Sequence, residues 1–150
     1  MIIKVDTREK DSHKWSFAKY LEDGESTVVG KLDQGDYSLD GHEGLISIER
    51  KKSVSEIINN LAKEKGRFLR EIERLKGSHK FSCVVCEFTL QDILSGSNFS
   101  RVSPNYIISS MIEIEYTYRI PFHLMGNMSE FFAYRFLKKV HKISKGEHRW

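Results

Sequence analysis

The segment at residues 45–51 constrains the fold more strongly than any other part of the chain. It is apolar and rich in β-branched residues until it ends in Glu49-Arg50-Lys51, which predicts a short strand with a charged end. Because successive side chains of a strand point to opposite faces, Glu49 and Lys51 share one face and Arg50 lies on the other. The strand therefore places an acid and a lysine side by side.

A second carboxylate is predicted to approach this strand. Turn-like residues separate three short predicted strands, at residues 27–32, 36–39 and 45–51. Consecutive strands joined by short turns favour an antiparallel meander. In that arrangement Asp36, near the start of the second strand, lies close to Glu49, near the end of the third.

Two carboxylates and a lysine at one place suit the hydrolysis of a phosphodiester. Hard carboxylate oxygens hold Mg²⁺, which polarises the phosphate and acidifies a water molecule, and a lysine stabilises the charge that develops. A surface strand with a ladder of Glu, Arg and Lys salt bridges explains the same residues, and this explanation is favoured for a bare Glu-x-Lys pattern. The triplet alone does not decide between the two.

More charged residues follow the predicted strand at residues 2–5. Asp6, Arg8 and Glu9 come directly after it. Open α/β sheets tend to bind ligands at the ends of their strands. These residues are therefore candidates for the same site.

Length and composition indicate a single globular unit. A chain of 150 residues is one domain by the usual prior and buries roughly 70% of the surface of its unfolded state. Charged residues make up 30% and hydrophobic residues 39%, which excludes extended disorder and a membrane span. The apolar start at residues 1–5 has no features of a secretion signal. We therefore expect a cytoplasmic protein that is not secreted.

The distribution of charge indicates a polyanionic partner. The formal net charge is only +3, but residues 50–80 contain ten cations against four acids. A basic lobe beside the candidate site is what a polyanionic substrate requires. Any single cation could equally well be solvated, so both roles remain open. The ten are Arg50, Lys51, Lys52, Lys63, Lys65, Arg67, Arg70, Arg74, Lys76 and Lys80.

Cys83 and Cys86 have the spacing of a metal or redox motif, but their context favours core packing. They lie in residues 81–88, a nearly continuous apolar run that predicts a central strand covered on both faces. Positions three apart on a strand face opposite ways, and the chain has no second cysteine pair to complete a zinc site. The six histidines also lack a metal-ligand spacing.

Four helical segments are predicted in the first two thirds of the chain. Residues 11–21 predict a helix or an irregular helical turn. Ser53 and Glu56 have the spacing of a capping box that opens a helix, and a second helix follows Gly66, with its cations facing solvent or phosphate. Residues 89–92 open a further short helix.

The remainder of the chain is predicted to be mainly helical. Residues 96–101 read as a loop, and Ser103, followed by a proline, caps a helix that reaches about Tyr118. A last strand is expected at residues 121–125, and a final helix at residues 129–143, capped by its first residue. Four cations on this last helix either contact a DNA backbone or are solvated, namely Arg135, Lys138, Lys139 and Lys142.

Five short motifs, taken together and in order, resemble those of the XPF-type nuclease domain family. Members of this family have the patterns VDxRE, GD(Y/F), ERKxxxD and GR(L/F), and small bacterial and phage-encoded members resemble the downstream part more loosely. The motifs here are Val5-Asp6-Thr7-Arg8-Glu9, Gly35-Asp36-Tyr37, Glu49-Arg50-Lys51, Gly66-Arg67-Phe68 and Val84-Val85-Cys86-Glu87-Phe88.

The resemblance implies an α/β, restriction-endonuclease-like fold of the PD-(D/E)xK superfamily. In this three-layer fold, helices flank a central mixed sheet of about five to six strands. We expect one nuclease domain over residues 1–150, with its core at residues 1–95. The helical part at residues 103–143 is expected to form a homodimer, because it carries a wide apolar arc and related domains dimerise there. Residues 145–150 are expected to be a tail.

The resemblance also implies roles for individual residues. Asp36 and Glu49 would be ligands of Mg²⁺ or Mn²⁺, Asp6 a further acidic ligand or a supporting partner, and Lys51 the catalytic lysine. The supporting residues would be Glu9, Arg50 and Arg8, and the DNA contacts would be Arg67, Lys52, Arg70 and Arg74. The acid expected after three intervening residues beyond the ERK motif comes one residue later, as Glu56, so we leave Glu56 outside the core site.

These roles predict a metal-dependent DNA endonuclease without a small-molecule cofactor. Branched, flap or partly single-stranded DNA is the expected substrate, in repair, recombination or phage DNA processing. The helix-hairpin-helix and helicase domains of longer members do not fit in 150 residues, so selectivity for such DNA remains a possibility. A catalytically inactive DNA-binding scaffold is the main alternative, and a nuclease acting on ordinary duplex DNA or on RNA is another.

Overall fold

The structure, a computed structural model, describes residues 1–96 and 101–147 and centres on a six-stranded mixed sheet. The order of the strands in the sheet is β2-β1-β3-β4-β5-β6. The strands are β1 (Ile2–Val5), β2 (Ser26–Val29), β3 (Tyr37–Leu39), β4 (Ile46–Lys51), β5 (Phe81–Cys86) and β6 (Phe122–Leu124).

The strand β2 occupies a different place from the one predicted. β3 and β4 are antiparallel, as expected, but β2 pairs in parallel with β1, which separates it from β3. The predicted antiparallel meander is therefore wrong in its first pair. The reason is burial: Ile3 and Val5 of β1 are buried and need an inner position, whereas every residue of β2 is exposed, as suits an edge strand.

In the described parts of the chain, five α-helices cover the sheet and complete the three layers. They are α1 (Val54–Ile58), α2 (Lys65–Ser78), α3 (Leu90–Ser95), α4 (Pro104–Tyr118) and α5 (Ser129–Ser144), with one π-helical turn (Asn59–Lys63) between α1 and α2. One core cluster packs α5 against one face of the sheet, and a second packs α1 to α4 against the other. The predicted fold class is thus confirmed.

Strand β5 is buried from Cys83 to Cys86 and pairs in parallel with β4 and β6. Cys83 belongs to the core on the α5 side, and Cys86 belongs to the core on the other side. Both are buried free cysteines, and burial raises the pKa of each thiol, that of Cys86 to about 12. The prediction that they are core residues is confirmed.

Residues 11–21 form irregular turns, the second of the two predicted forms, rather than a regular helix, because Trp15 and Phe17 are both buried in the core beneath α5 and Phe17 has a positive φ of 58°. The predicted cap of α5 is wrong. Ser129 is the first residue of α5 and not its cap. Its hydroxyl instead donates to the carbonyls of Cys86, at 2.9 Å, and Gly126, at 2.7 Å, and thus ties α5 to the end of β5.

The start and end of α4 agree with the prediction. The hydroxyl of Ser103 accepts the N–H of Tyr106 at 3.3 Å, and Pro104 occupies the first turn. The predicted loop at residues 96–101 and the tail at 145–150 lie partly outside the described residues. No helix in the described ranges is long and apolar enough to cross a membrane.

Candidate active site

Strand β4 carries the centre of the candidate site. The side chains of Glu49 and Lys51 lie on the face covered by α1 and α2, whereas Arg50 lies on the α5 face. The Lys51 Nζ is 3.0 Å from Glu49 Oε1 and 5.0 Å from the ring centre of Phe68. Lys51 is only 4% exposed, so its ammonium group is held in a fixed position next to Glu49.

Backbone hydrogen bonds fix Asp36 beside the same strand. Its N–H donates to the Ile48 carbonyl at 2.8 Å, and its Oδ2 accepts the Arg50 N–H at 2.8 Å. The preceding Gly35 has a positive φ of 78°, and a Cβ at this position would lie 1.9 Å from Ser47 Oγ. Glycine is therefore required for the close approach that brings the carboxylate to β4.

Asp36 and Glu49 both line one cleft of about 270 Å³. The structure thus brings the two predicted metal ligands to one opening on the surface. The cleft is also lined by Arg8, Glu9, Gln34, Glu71 and Arg74.

Burial and nearby acids raise the pKa of both carboxylates. Burial raises the pKa of Asp36 well above its usual range, and repulsion from Glu49 and Glu9 adds to this effect. Burial also raises the pKa of Glu49, although the neighbouring Lys51 partly opposes the rise. Attraction to Glu49 raises the pKa of Lys51 despite its burial, so this lysine stays charged. An additional cation between the two acids would relieve their repulsion.

The donor set at this cleft fits Mg²⁺ or Mn²⁺. Within residues 1–96 and 101–147 no cluster of three or more acidic, histidine or cysteine side chains could hold a metal ion. Mg²⁺ nevertheless binds to many phosphate-processing sites through only one or two carboxylates, and water and substrate phosphate complete its ligands. Asp36 and Glu49 are the residues that would hold it.

Asp6 is engaged elsewhere. Its carboxylate is fully buried, and Oδ1 accepts the N–H and Nε–H of Arg8 at 2.8 and 2.6 Å. Its Oδ2 accepts the Leu32 N–H at 2.6 Å. Because three donors already occupy its oxygens, the contacts favour the supporting role for Asp6 over the role of metal ligand.

Arg8 extends this support to the loop that leads into β3. Its terminal NH2 group donates to the carbonyls of Leu32, at 3.1 Å, and Gly35, at 3.4 Å. Asp6 and Arg8 therefore hold residues 32–35 from two sides, directly before Asp36. The predicted supporting role of Arg8 has a structural basis in these contacts.

Arg50 is the centre of a buried polar network on the opposite face of the sheet. It donates to Glu9 Oε2 at 2.7 Å and to both oxygens of Glu87 at 3.0 and 3.1 Å. Its guanidinium lies 4.8 Å from the ring centre of Trp15, whose Nε1–H also donates to Glu87, at 2.7 Å. Tyr37 donates its hydroxyl to Glu9 at 2.8 Å. Arg50 thus stabilises β4 from the face of the sheet opposite to Glu49 and Lys51.

Sequence reasoning missed Glu87 and Trp15 as members of this network. A usable signal existed for Glu87, because it directly follows the buried strand β5. Since β5 was expected to lie in the middle of the sheet, its carboxyl end could have been placed next to the end of β4. Lys51 is indeed the register partner of Cys86, the residue before Glu87. Trp15 lies in an irregular segment and gave no such signal.

Glu56 lies closer to the site than predicted. The hydroxyl of Ser53 accepts its N–H at 3.1 Å and so caps α1, as expected. The carboxylate of Glu56, however, accepts the N–H of Lys52 at 2.7 Å rather than that of Ser53, and it lies 3.8 Å from Lys51 Nζ. Glu56 therefore contributes to the negative charge that surrounds Lys51.

The predicted DNA-contacting cations are exposed, as that role requires. Lys52, Arg70 and Arg74 are exposed, and Arg74 lines the cleft. Arg67 is also exposed but forms a helix-surface ion pair with Glu71 at 3.3 Å.

Lys138 does not belong to the exposed basic cluster that was predicted on the last helix. It is nearly buried and forms ion pairs with Glu22 and Glu25, the latter at 3.4 Å. Its Nζ also donates to the hydroxyl of Tyr134 at 3.0 Å. Lys138 therefore ties α5 to the segment before β2, while Arg135 and Lys139 are exposed.

Comparisons with known proteins agree with the fold of the chain. Two solved structures of XPF from Aeropyrum pernix, one of them in complex with DNA, match the whole fold with TM-scores of 0.71 and 0.69 and 20% and 21% identity. They cover 100% and 99% of this chain, which spans 65% and 67% of those longer chains. No curated protein sequence matches significantly. The family model described as the ERCC4 domain matches residues 5–136, and the chain therefore belongs to the ERCC4 domain family.

Proposed function

We propose that the protein is a metal-dependent endonuclease that hydrolyses phosphodiester bonds in DNA. The observation that carries the proposal is the convergence of Asp36 and Glu49 at one cleft, with the buried Lys51 Nζ 3.0 Å from Glu49 Oε1. Two carboxylates of raised pKa next to a buried, charged lysine are costly for the free protein. Such a cost is typical of a functional site.

The residues divide the chemistry between them. Asp36 and Glu49 hold the divalent ion, which when bound polarises the phosphate and lowers the pKa of a water molecule. Lys51 orients the attacking water or stabilises the negative charge that develops on the phosphate oxygens. Arg50 holds β4 in place from the opposite face, and Asp6 with Arg8 fixes the loop before Asp36.

The exposed cations around the cleft support DNA as the substrate. Lys52, Arg67, Arg70 and Arg74 would contact phosphates, and such contacts give affinity without reading sequence. One of the matching structures is described as a complex with DNA, which supports the same choice. The sequence offers no recognisable element for reading bases, so branched, flap or partly single-stranded DNA is favoured over a duplex sequence or RNA.

The biological setting proposed is DNA repair, recombination or phage DNA processing, in the cytoplasm of a bacterial or phage-infected cell. A homodimer through the C-terminal helices is also proposed. Ile112 and Tyr116 of α4 are 60% and 73% exposed, and exposed apolar side chains on one helix are typical of an interface. An inactive DNA-binding scaffold is less favoured, because Asp36, Glu49 and Lys51 are all retained.

The direct test compares cleavage of flap, fork, four-way junction, single-stranded and linear duplex DNA in Mg²⁺. The variant Asp36→Ala serves as the blank, and calorimetric titration with Mn²⁺ measures metal binding. We expect the parental protein to cut at least one branched form faster than the linear duplex, and the variant to cut none. Failure to bind Mn²⁺ together with failure to nick any DNA would favour the scaffold.

A further inference from the structure

A second cleft of about 320 Å³ continues the first one along the same helix. Asp33 and Gln34 line both clefts, so the two openings adjoin. The second opening reaches Ser78 and His79, at the end of α2. Together the two clefts form a trough that starts at the paired acids and leads away from them.

One wall of the trough is a single face of α2. Glu71 and Arg74 line the first cleft, and Ser78 lines the second. Residues three and four apart lie on one side of a helix, so this spacing accounts for the continuous wall. Seven residues of α-helix span about 10 Å.

The opposite wall is the loop at residues 31–35, which is rigidly held. Leu32 is buried, its N–H is bound by Asp6 and its carbonyl by Arg8. The hydroxyl of Ser47 donates to the Gln34 carbonyl at 2.9 Å. The trough is therefore preformed and does not depend on a loop closing over a ligand.

The free polar groups of the trough suit a chain of phosphates. Lys31 lines the second cleft and Arg74 the first, and neither forms an ion pair with another residue of the described ranges.

Acidic groups in the second cleft are partly neutralised. Glu43 is paired with Lys4, whose Nζ lies 2.7 Å from its Oε1. Asp33 remains on the loop between the two clefts. Lys31 and Arg74 are thus isolated cations on a trough that is not uniformly basic, which favours one strand held at spaced phosphates.

We propose that this trough holds a single-stranded arm of the DNA substrate, adjacent to the phosphate at Asp36 and Glu49. Lys31 binds a backbone phosphate of the arm, and Arg74 binds one nearer the acids. Clefts of this size hold small organic ligands, so there is room for one strand and not for a duplex. At about 3.4 Å per nucleotide, the rise of a strand that keeps its bases stacked, the wall of α2 accommodates about three nucleotides. This inference rests on the proposed DNA endonuclease function.

The test measures binding of duplexes with a fluorescent label and a single-stranded arm of zero to six nucleotides. Binding is measured in the Asp36→Ala background, so that no cleavage occurs, and cleavage of the same DNA is measured with the parental protein. We expect affinity to rise over about the first three nucleotides of the arm and then to level off. Lys31→Ala should reduce the slope of log affinity against log salt by about 0.7 for armed DNA, and leave the armless duplex unchanged.

The matched control is Lys19→Ala, which removes an exposed lysine that lines neither cleft. It should not change the slope for any of the DNAs. The inference is overturned, with the proposed function intact, if the parental protein cuts DNA but Lys31→Ala binds armed and armless DNA like its background. If the parental protein neither binds nor cuts any of these DNAs, the inference and the proposed function both fail.

Discussion

Arg8 Nε lies 2.6 Å from Asp6 Oδ1, and this ion pair holds the loop that places Asp36 in the cleft. Asp6 binds the loop through the Leu32 N–H, and Arg8 binds it through the Leu32 carbonyl. An acidic residue of a characteristic motif therefore acts on the site through the backbone of a neighbouring loop. Substitution of Asp6 can therefore distinguish a residue that holds the loop from one that binds the metal ion.

Asp6→Asn is expected to lower the free energy of unfolding by about 1–3 kcal/mol, because a buried carboxylate that accepts three hydrogen bonds is replaced. Although burial opposes the effect, hydrogen bonds from Arg8 and Leu32 lower the pKa of Asp6 below its ordinary value of 3.8. The stability that this charge contributes is present above pH 3.8 and is lost as the pH falls further. The difference in the free energy of unfolding between the parental protein and Asp6→Asn should therefore become smaller at acid pH. Urea unfolding at several pH values measures it.

The same variant should retain its affinity for Mn²⁺, since Asp6 is not predicted by its contacts to be a ligand. Asp33→Asn, an exposed acid in the same loop, is the control for stability. Loss of Mn²⁺ binding by Asp6→Asn with unchanged stability would assign Asp6 to the metal instead.

Gly35→Ala is expected to destabilise the protein more than a glycine substitution at an open position with similar backbone conformation. A Cβ at Gly35 would lie 1.9 Å from Ser47 Oγ, whereas Gly41, with a φ of 74°, has nothing within 4 Å. Gly41→Ala should cost about 1–2 kcal/mol from the left-handed conformation alone, and Gly35→Ala should cost more. Adding Ser47→Ala should recover part of the difference in urea unfolding. Equal costs at the two glycines would contradict the close approach of the loop to β4.

Asp36→Asn is expected to stabilise the protein at neutral pH in the absence of divalent ions. Burial and repulsion from Glu49 raise the pKa of Asp36 above its ordinary value of 3.8, so its ionised form destabilises the folded state as the pH rises past that value. The gain should be absent near pH 3 and reach about 0.5–2 kcal/mol at pH 7, the usual size for one stabilising substitution. Thermal unfolding with and without Mg²⁺ measures it.

Mg²⁺ should reduce the difference in stability between Asp36→Asn and the parental protein, because the ion binds to and stabilises only the parental protein. Asp23→Asn, an exposed residue of a turn, should change stability by less than about 0.5 kcal/mol at every pH. A variant at Asp36 that is less stable than its parent at pH 7 would show that the acids do not repel each other.

Lys51→Met is expected to slow DNA cleavage by at least about 10²-fold, the lower range for a group that assists proton transfer. Methionine keeps most of the buried volume, and Lys51 is covered by the protein and does not belong to the exposed DNA-binding cations. DNA affinity should therefore remain almost unchanged. Lys52→Met is the contrasting variant, since its loss should weaken binding and reduce the salt slope by about 0.9 while leaving turnover intact. Cleavage by Lys51→Met at the parental rate would remove Lys51 from the mechanism.

The alternation within residues 45–51 was enough to place Glu49 and Lys51 on one face, because the side-chain period of a strand is fixed by its backbone. The position of β2 could not be predicted in the same way. Its neighbour β1 comes before it in the chain, and only the burial of Ile3 and Val5 in the tertiary structure selects the inner position. Local patterns thus fix the faces of a strand but not its partners.

Long-range polar contacts were harder to predict for the same reason. The end of β5 indicates that Glu87 lies near the end of β4, but its ion pair with Arg50, 37 positions away, is not encoded by a local pattern. For Ser129 the local pattern was misleading. Serine is typical of a helix cap, but the Ser129 hydroxyl instead donates to the carbonyl of Cys86. In both cases the partner is supplied by the packing of distant elements.

Arg50→Met is expected to lower the free energy of unfolding by about 3–5 kcal/mol, the usual cost of removing one partner from a buried ion pair. It would leave Glu9, whose side chain is 7% exposed, without its cation at 2.7 Å. Adding Glu87→Gln should recover part of that loss, with a coupling energy of about 0.5–3 kcal/mol in a double-mutant cycle. Trp15→Phe, which removes the Nε1–H donor to Glu87 but keeps an aromatic ring, should cost only about 1 kcal/mol. Urea unfolding of the four variants measures these differences, and additive effects of Arg50→Met and Glu87→Gln would mean that the network does not act as a unit.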